Sequence, residues 1–122
     1  MDQSIFTDRN GYALRGHDPV AYFTEGAPTQ GDPTIRRSWA GAIWLFASEA
    51  NRDMFDADPT RFAPAFGGHC AVAKAMGLNL PGSPKRWRIE NDRLFVNKNL
   101  LAEKQHRFFA RRIRRLADAH AA

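Results

Sequence analysis

The chain has 122 residues, 43% hydrophobic and 25% charged, which suits one soluble domain with a core of its own. Its single cysteine, Cys70, excludes an intrachain disulfide framework and a C-x-x-C zinc site. Lys104, Arg107, Arg111, Arg112, Arg114 and Arg115 against Asp118 leave the tail at +5, the charge of the whole chain, so the remainder is balanced. No apolar run reaches the roughly 18 residues of a membrane span. The start, Met1 to Asp8, has neither a basic nor an apolar signal region, and a cytoplasmic location is the expectation.

Residues 1–11 read as an N-terminal arm ending in the turn signal Asn10-Gly11. Tyr12 to Arg15 fits a short strand. Asp18-Pro19 then places a capping carboxylate before a proline suited to the first helical turn. Residues 26–33 form a loop. Residues 35–39 and 42–46 predict a β-hairpin turning at Ala40-Gly41, its second strand buried on both faces. Ser48 caps a helix to about Ala57, with Met54 and Phe55 inward and Asn51, Arg52 and Asp53 outward. Asp58-Pro59 starts another short turn that delivers Phe62.

Gly67-Gly68 permits backbone turns closed to other residues, and a helix from His69 to about Met76 ends at Gly77. Residues 86–90 and 93–97 predict a second hairpin across Asn91-Asp92. Residues 99–122 read as one long basic amphipathic helix packed on the domain through Leu101, Phe108, Phe109, Ile113, Leu116 and Ala117. His106 and His120 should be solvated on it. The expected class is α+β, with hairpins and helices outside βαβ order and no internal repeat.

Chemistry concentrates at Phe66-Gly67-Gly68-His69-Cys70-Ala71, where a thiol and an imidazole adjoin. These are the side chains best suited to soft-metal ligation or thiol chemistry. The competing reading of Cys70 is a small buried hydrophobe, which the run Ala71-Val72-Ala73 also suits. No phosphate loop, Ser-His-Asp set or carboxylate pair is present, so catalysis is not the expected role.

Three segments together resemble the YHS domain family: Gly16-His17-Asp18-Pro19-Val20-Ala21-Tyr22-Phe23, Trp44 to Arg52, and Phe55 to Phe62. Phe66 to Ala71 is similar to the Tyr-Gly-Gly-Tyr-Cys-Ala segment of a stand-alone bacterial branch. The resemblance runs from about Gly11 to Asn97 and implies a small treble-clef-like unit over residues 12–98, a β-hairpin followed by a helix. It implies metal binding as well. The usual ligand positions are Ala21, Ala47 and Asn51 here, which leaves no four-ligand structural zinc site. Packing by Trp39, Trp44, Phe46, Phe55 and Phe62 must hold the fold instead.

Two functions remain. One is a soft-metal site for copper or zinc, or an exposed thiol, built from Cys70, His69 and His17 with Asp18 in support. For Asp18 the plainer reading is a helix cap. The other is an interaction module docking an acidic protein through Arg111, Arg112, Arg114 and Arg115. A homodimer through Phe108 and Phe109 is an alternative use of that helix, as is an anionic membrane surface. Nucleic acid fits poorly, because base-reading side chains are missing.

Overall fold

A computed structural model describes residues 4–121; the first three residues of the expected arm lie outside them. The elements are α1 (Ala21–Thr24), β1 (Asp32–Trp39), β2 (Ala42–Phe46), α2 (Glu49–Ala57), α3 (Pro59–Phe62), α4 (Ala71–Ala75), β3 (Ser83–Glu90), β4 (Arg93–Asn97), α5 (Leu100–Phe108) and α6 (Ala110–Ala121). β1–β2 and β3–β4 are separate antiparallel pairs, so the class is α+β with two hairpins, as expected. Both turns fall where the sequence put them, with Ala40, Asn91 and Asp92 at positive φ. Each first strand starts three residues early, because a register irregularity between Asp32 and Arg36, and between Ser83 and Trp87, lets it resume pairing.

The expectation of a chain without repeats is corrected. β1 and β3 have the same length, as do β2 and β4, and α2 and α5, and one constant displacement along the chain superposes all three pairs. That displacement also brings the start of α6 onto α3. Ser48 and Asn99 cap the equivalent helices, accepting from Asn51 N at 3.1 Å and Ala102 N at 2.9 Å. Ahead of each hairpin the match continues one residue out of step. Leu14-Arg15-Gly16 and Phe66-Gly67-Gly68 make the same left-handed turn, every φ between 49° and 84°. In each half a later glycine closes on it: Gly31 N donates to Gly16 O at 2.8 Å, and Gly82 N to Gly68 O at 3.1 Å. A Cβ on Gly31 would sit 2.5 Å from Leu45 Cβ, and one on Gly82 would strike Val96.

The main core is aromatic. Trp44, Phe46 and Phe55 are almost fully buried, and Phe55 packs at 5.2–5.7 Å against Phe46, Trp44 and half-buried Trp39. Such pairs each add about 0.5–1.5 kcal/mol beyond the area they bury. Met54 and Asn51 exchange their expected places. Met54 is 43% exposed, whereas Asn51 is buried because its amide meets a carboxylate described below.

The single C-terminal helix is also corrected. It breaks at Phe109, where φ −122° and ψ 34° leave the helical region. The break lets α5 lay Ala102 and His106 inward while α6 turns Ile113 and Ala117 onto α4. Of the bulky residues expected to pack, Ile113 does and three others do not. Leu101 is 67% exposed, Phe108 76% and Phe109 58%.

Candidate functional site

Each left-handed turn delivers a histidine whose ring bonds back across it. His17 Nδ1 lies 3.0 Å from Leu14 O, and His69 Nδ1 lies 2.7 Å from Phe66 O. A carbonyl only accepts, so Nδ1 carries the proton in both rings. Left-handed backbone costs a non-glycine residue roughly 1–2 kcal/mol. Leu14, Arg15 and Phe66 bear that cost, and the imidazole bond stitches the turn that imposes it. The two histidines thus do one job twice, each in its own half.

The residue after each histidine is buried. Asp18 caps α1, accepting from Val20 N at 2.8 Å and Ala21 N at 3.2 Å through Oδ1. Its Oδ2 accepts from Ala47 N and Asn51 Nδ2, both at 2.8 Å. Asp18 is therefore the buried knot joining α1 to the β2–α2 junction. No hydrogen bond ties it to the His17 ring.

Cys70 occupies the equivalent place in the second half and is fully buried. Its thiol faces Asn97 Oδ1 at 3.6 Å, which also accepts from Val72 N at 3.3 Å. Asn97 then donates through Nδ2 to His106 Nδ1 at 3.0 Å, so His106 carries its proton on Nε2 and donates to Glu90 Oε1 at 3.1 Å. Arg88 Nε holds the other oxygen of Glu90 at 2.6 Å. His106 is thus fully buried rather than solvated, at the position that Phe55 fills in the first half. Burial holds its pKa below the ordinary 6.5, outweighing the pull of Glu90; Arg88 and Arg114 push the same way as burial. Sequence reasoning missed Asn97, His106 and Glu90. The spacing of Ala102, His106, Ile113 and Ala117 carried the signal, since His106 falls on the stripe that is buried.

Cys70, His69 and His17 are not assembled into a ligand set. The sulfur is sealed, and each histidine gives Nδ1–H to the carbonyl of its own turn, which leaves only Nε2 to ligate. Among the described residues no group of three or more His, Cys, Asp or Glu side chains converges as a metal site would require.

Other chemistry lies on α4, α5 and α6. Glu103 pairs with Arg86 and Asp118 with Arg93, both at 3.3 Å. Among the described residues this leaves Lys104, Arg107, Arg111, Arg112 and Arg115 exposed without a carboxylate partner. Arg114 is different: it is turned in, 3.7 Å from Glu90 and 22% exposed, and does not belong to the free basic face. Also exposed are Leu101 and Phe108 of α5, Phe109 at the break and Leu116 of α6, with Met76 of α4 at 70% exposure. A hollow of about 240 Å³ opens between α4 and α6, walled by Val72, Ala75, Met76, Phe109, Ile113 and Leu116, with Arg112 and Gln105 also on it. No helix among the described residues is long and apolar enough to cross a membrane.

Compared with protein-family models, with curated proteins and with solved structures, the chain matches none.

Proposed function

We propose that this protein is a binding module whose working surface is the basic, apolar face of α4, α5 and α6, and that its partner is an acidic protein. The observation that carries this is the conjunction of five unpaired cations with Leu101, Phe108 and Phe109, each more than half exposed. Met76, Phe109 and Leu116 gather around one hollow beside Arg112, and contiguous exposed apolar surface marks interaction sites. The unopposed charge sets the sign of the partner and speeds encounter. The hairpin-then-helix order of each half supports the treble-clef-like unit that the YHS resemblance implies. The copper or zinc reading at Cys70, His69 and His17 draws no support from the buried sulfur or from the lack of a converging ligand group among the described residues.

The test is binding to poly-L-glutamate across a salt series, for wild type, Cys70→Ser, and the triple change Arg111→Gln, Arg112→Gln and Arg115→Gln. Binding that weakens with salt, falls at least tenfold in the triple variant and ignores Cys70→Ser supports the module. Binding unaffected by the three arginines refutes it.

A further inference from the structure

The hollow between α4 and α6 is bordered by the counterparts of an aromatic pair in the first half. Phe23, at the third residue of α1, meets Phe62 of α3 edge to face, ring centroids 5.4 Å apart at 87°. In register, Phe23 corresponds to Ala75 and Phe62 to Ile113. Two aromatic rings are thus replaced by a methyl group and a branched aliphatic chain. The smaller residues let α4 and α6 pack together, Ala75 against the cluster that holds Ile113, and the hollow lies beside that contact. Its lining is almost wholly apolar, with Arg112 at the edge.

From this we infer that the hollow is a pocket for one bulky apolar side chain, aromatic or leucine-like, presented by an acidic peptide segment of the partner. The inference rests on the proposed docking face and specifies how that face recognises its partner. The anchor seats on the apolar lining beside Ala75 and Ile113. Carboxylates flanking it meet Arg112 beside the pocket and Arg111 and Arg115 further along α6. Apolar anchors in a desolvated pocket, ringed by charge that orients them, are how such interfaces divide affinity from specificity. Charge complementarity selects an acidic peptide, and a pocket of side-chain size selects an inserted anchor over a flat lipid surface.

The experiment is calorimetric titration with a short peptide of phenylalanines spaced among glutamates, beside a peptide with alanine for phenylalanine. The protein is wild type, Ala75→Phe, which places a ring in the hollow's lining, and Met76→Glu at the exposed rim. Wild type should bind the phenylalanine peptide at least tenfold more tightly than the alanine peptide. Ala75→Phe should erase that difference while keeping salt-sensitive binding to poly-L-glutamate. Met76→Glu, which cannot disturb the core, should weaken the phenylalanine peptide at least tenfold even if Ala75→Phe does not fold. Equal binding of the two peptides, or full discrimination retained in either variant, overturns the pocket and leaves the basic face standing. Loss of all arginine-dependent binding overturns the face itself. Wild type that ignores the peptide but binds phosphatidylserine vesicles, and not phosphatidylcholine ones, overturns both in favour of a membrane.

Discussion

Replacing Asp18 by alanine should be among the most damaging single changes on the surface-remote side of this fold. The carboxylate is fully buried and accepts from three backbone N–H groups, of Val20, Ala21 and Ala47, and from the amide of Asn51. Hydrogen bonds to a charged group contribute about 1.5–3 kcal/mol each, and a buried donor left unsatisfied costs about 1–3 kcal/mol. The effects do not add, because α1 is short and its first turn can relax toward water. A loss of about 3–5 kcal/mol is expected for Asp18→Ala, in the range of other broken buried polar networks. For a domain of this size that lowers Tm by roughly 10–20 °C. Asp18→Asn keeps the oxygen that caps α1 but turns N–H toward the N–H of Ala47; about half the loss is expected. Urea unfolding followed by circular dichroism measures both, and Asn51→Ala closes a double-mutant cycle whose coupling should exceed about 1 kcal/mol. An Asp18→Ala protein within about 1 kcal/mol of wild type would refute the reasoning.

Three further expectations follow from the second half. His106 is buried neutral with its pKa below 6.5, so the unfolded chain takes up the proton first as pH falls. Its contribution is therefore complete above about pH 6.5 and lost progressively on descending toward the folded pKa. His106→Phe should flatten the change in unfolding free energy between about pH 7.5 and 5.5, and an unchanged slope would be evidence against the network. Gly31→Ala and Gly82→Ala should each cost about 1–3 kcal/mol by urea unfolding, because both glycines press on the matching carbonyl. A neutral result at one would break the equivalence of the halves. The Cys70 thiol, sealed and aimed at Asn97, should react with iodoacetamide at least tenfold more slowly in the native protein than in urea. Equal rates would show that the sulfur is open.

The parts legible in the sequence are those fixed within a few residues. Ala40-Gly41 and Asn91-Asp92 mark both hairpin turns, Ser48 and Asn99 cap their helices, and Gly77 follows α4 at φ +81°. The long-range polar choices were not legible. Asn51 is inside because Asp18, far off in sequence, lies opposite, and His106 is inside because Asn97 and Glu90 supply a partner for each ring nitrogen. Phe108 and Phe109 read as core because an aromatic on a helix usually is. Nothing local shows that Ile113 and Ala117 fill the contact with α4 and leave those rings outside. The duplication hides because the shared features are backbone ones. Apart from the Gly-His pairs, Val20 and Val72, Ala21 and Ala73, and Gly31 and Gly82, few matched positions keep their residue.

The histidines carry the clearest lesson about the site. His17 and His69 draw the eye as ligands, yet the contact each makes is from Nδ1 to the carbonyl three residues before it. The same ring that could take a metal makes a compact donor for closing a left-handed turn. What the fold leaves free is arginine, lysine and phenylalanine on α5 and α6.

Chemical-shift mapping on isotope-labelled protein, titrated with the phenylalanine–glutamate peptide, tests the docking face most directly. Amide shifts should gather on Val72 to Met76 and on Gln105 to Leu116, saturate together, and leave the Trp39, Trp44 and Phe55 region still. Shifts centred on the first half, or none at peptide excess, would contradict a binding surface on α4, α5 and α6.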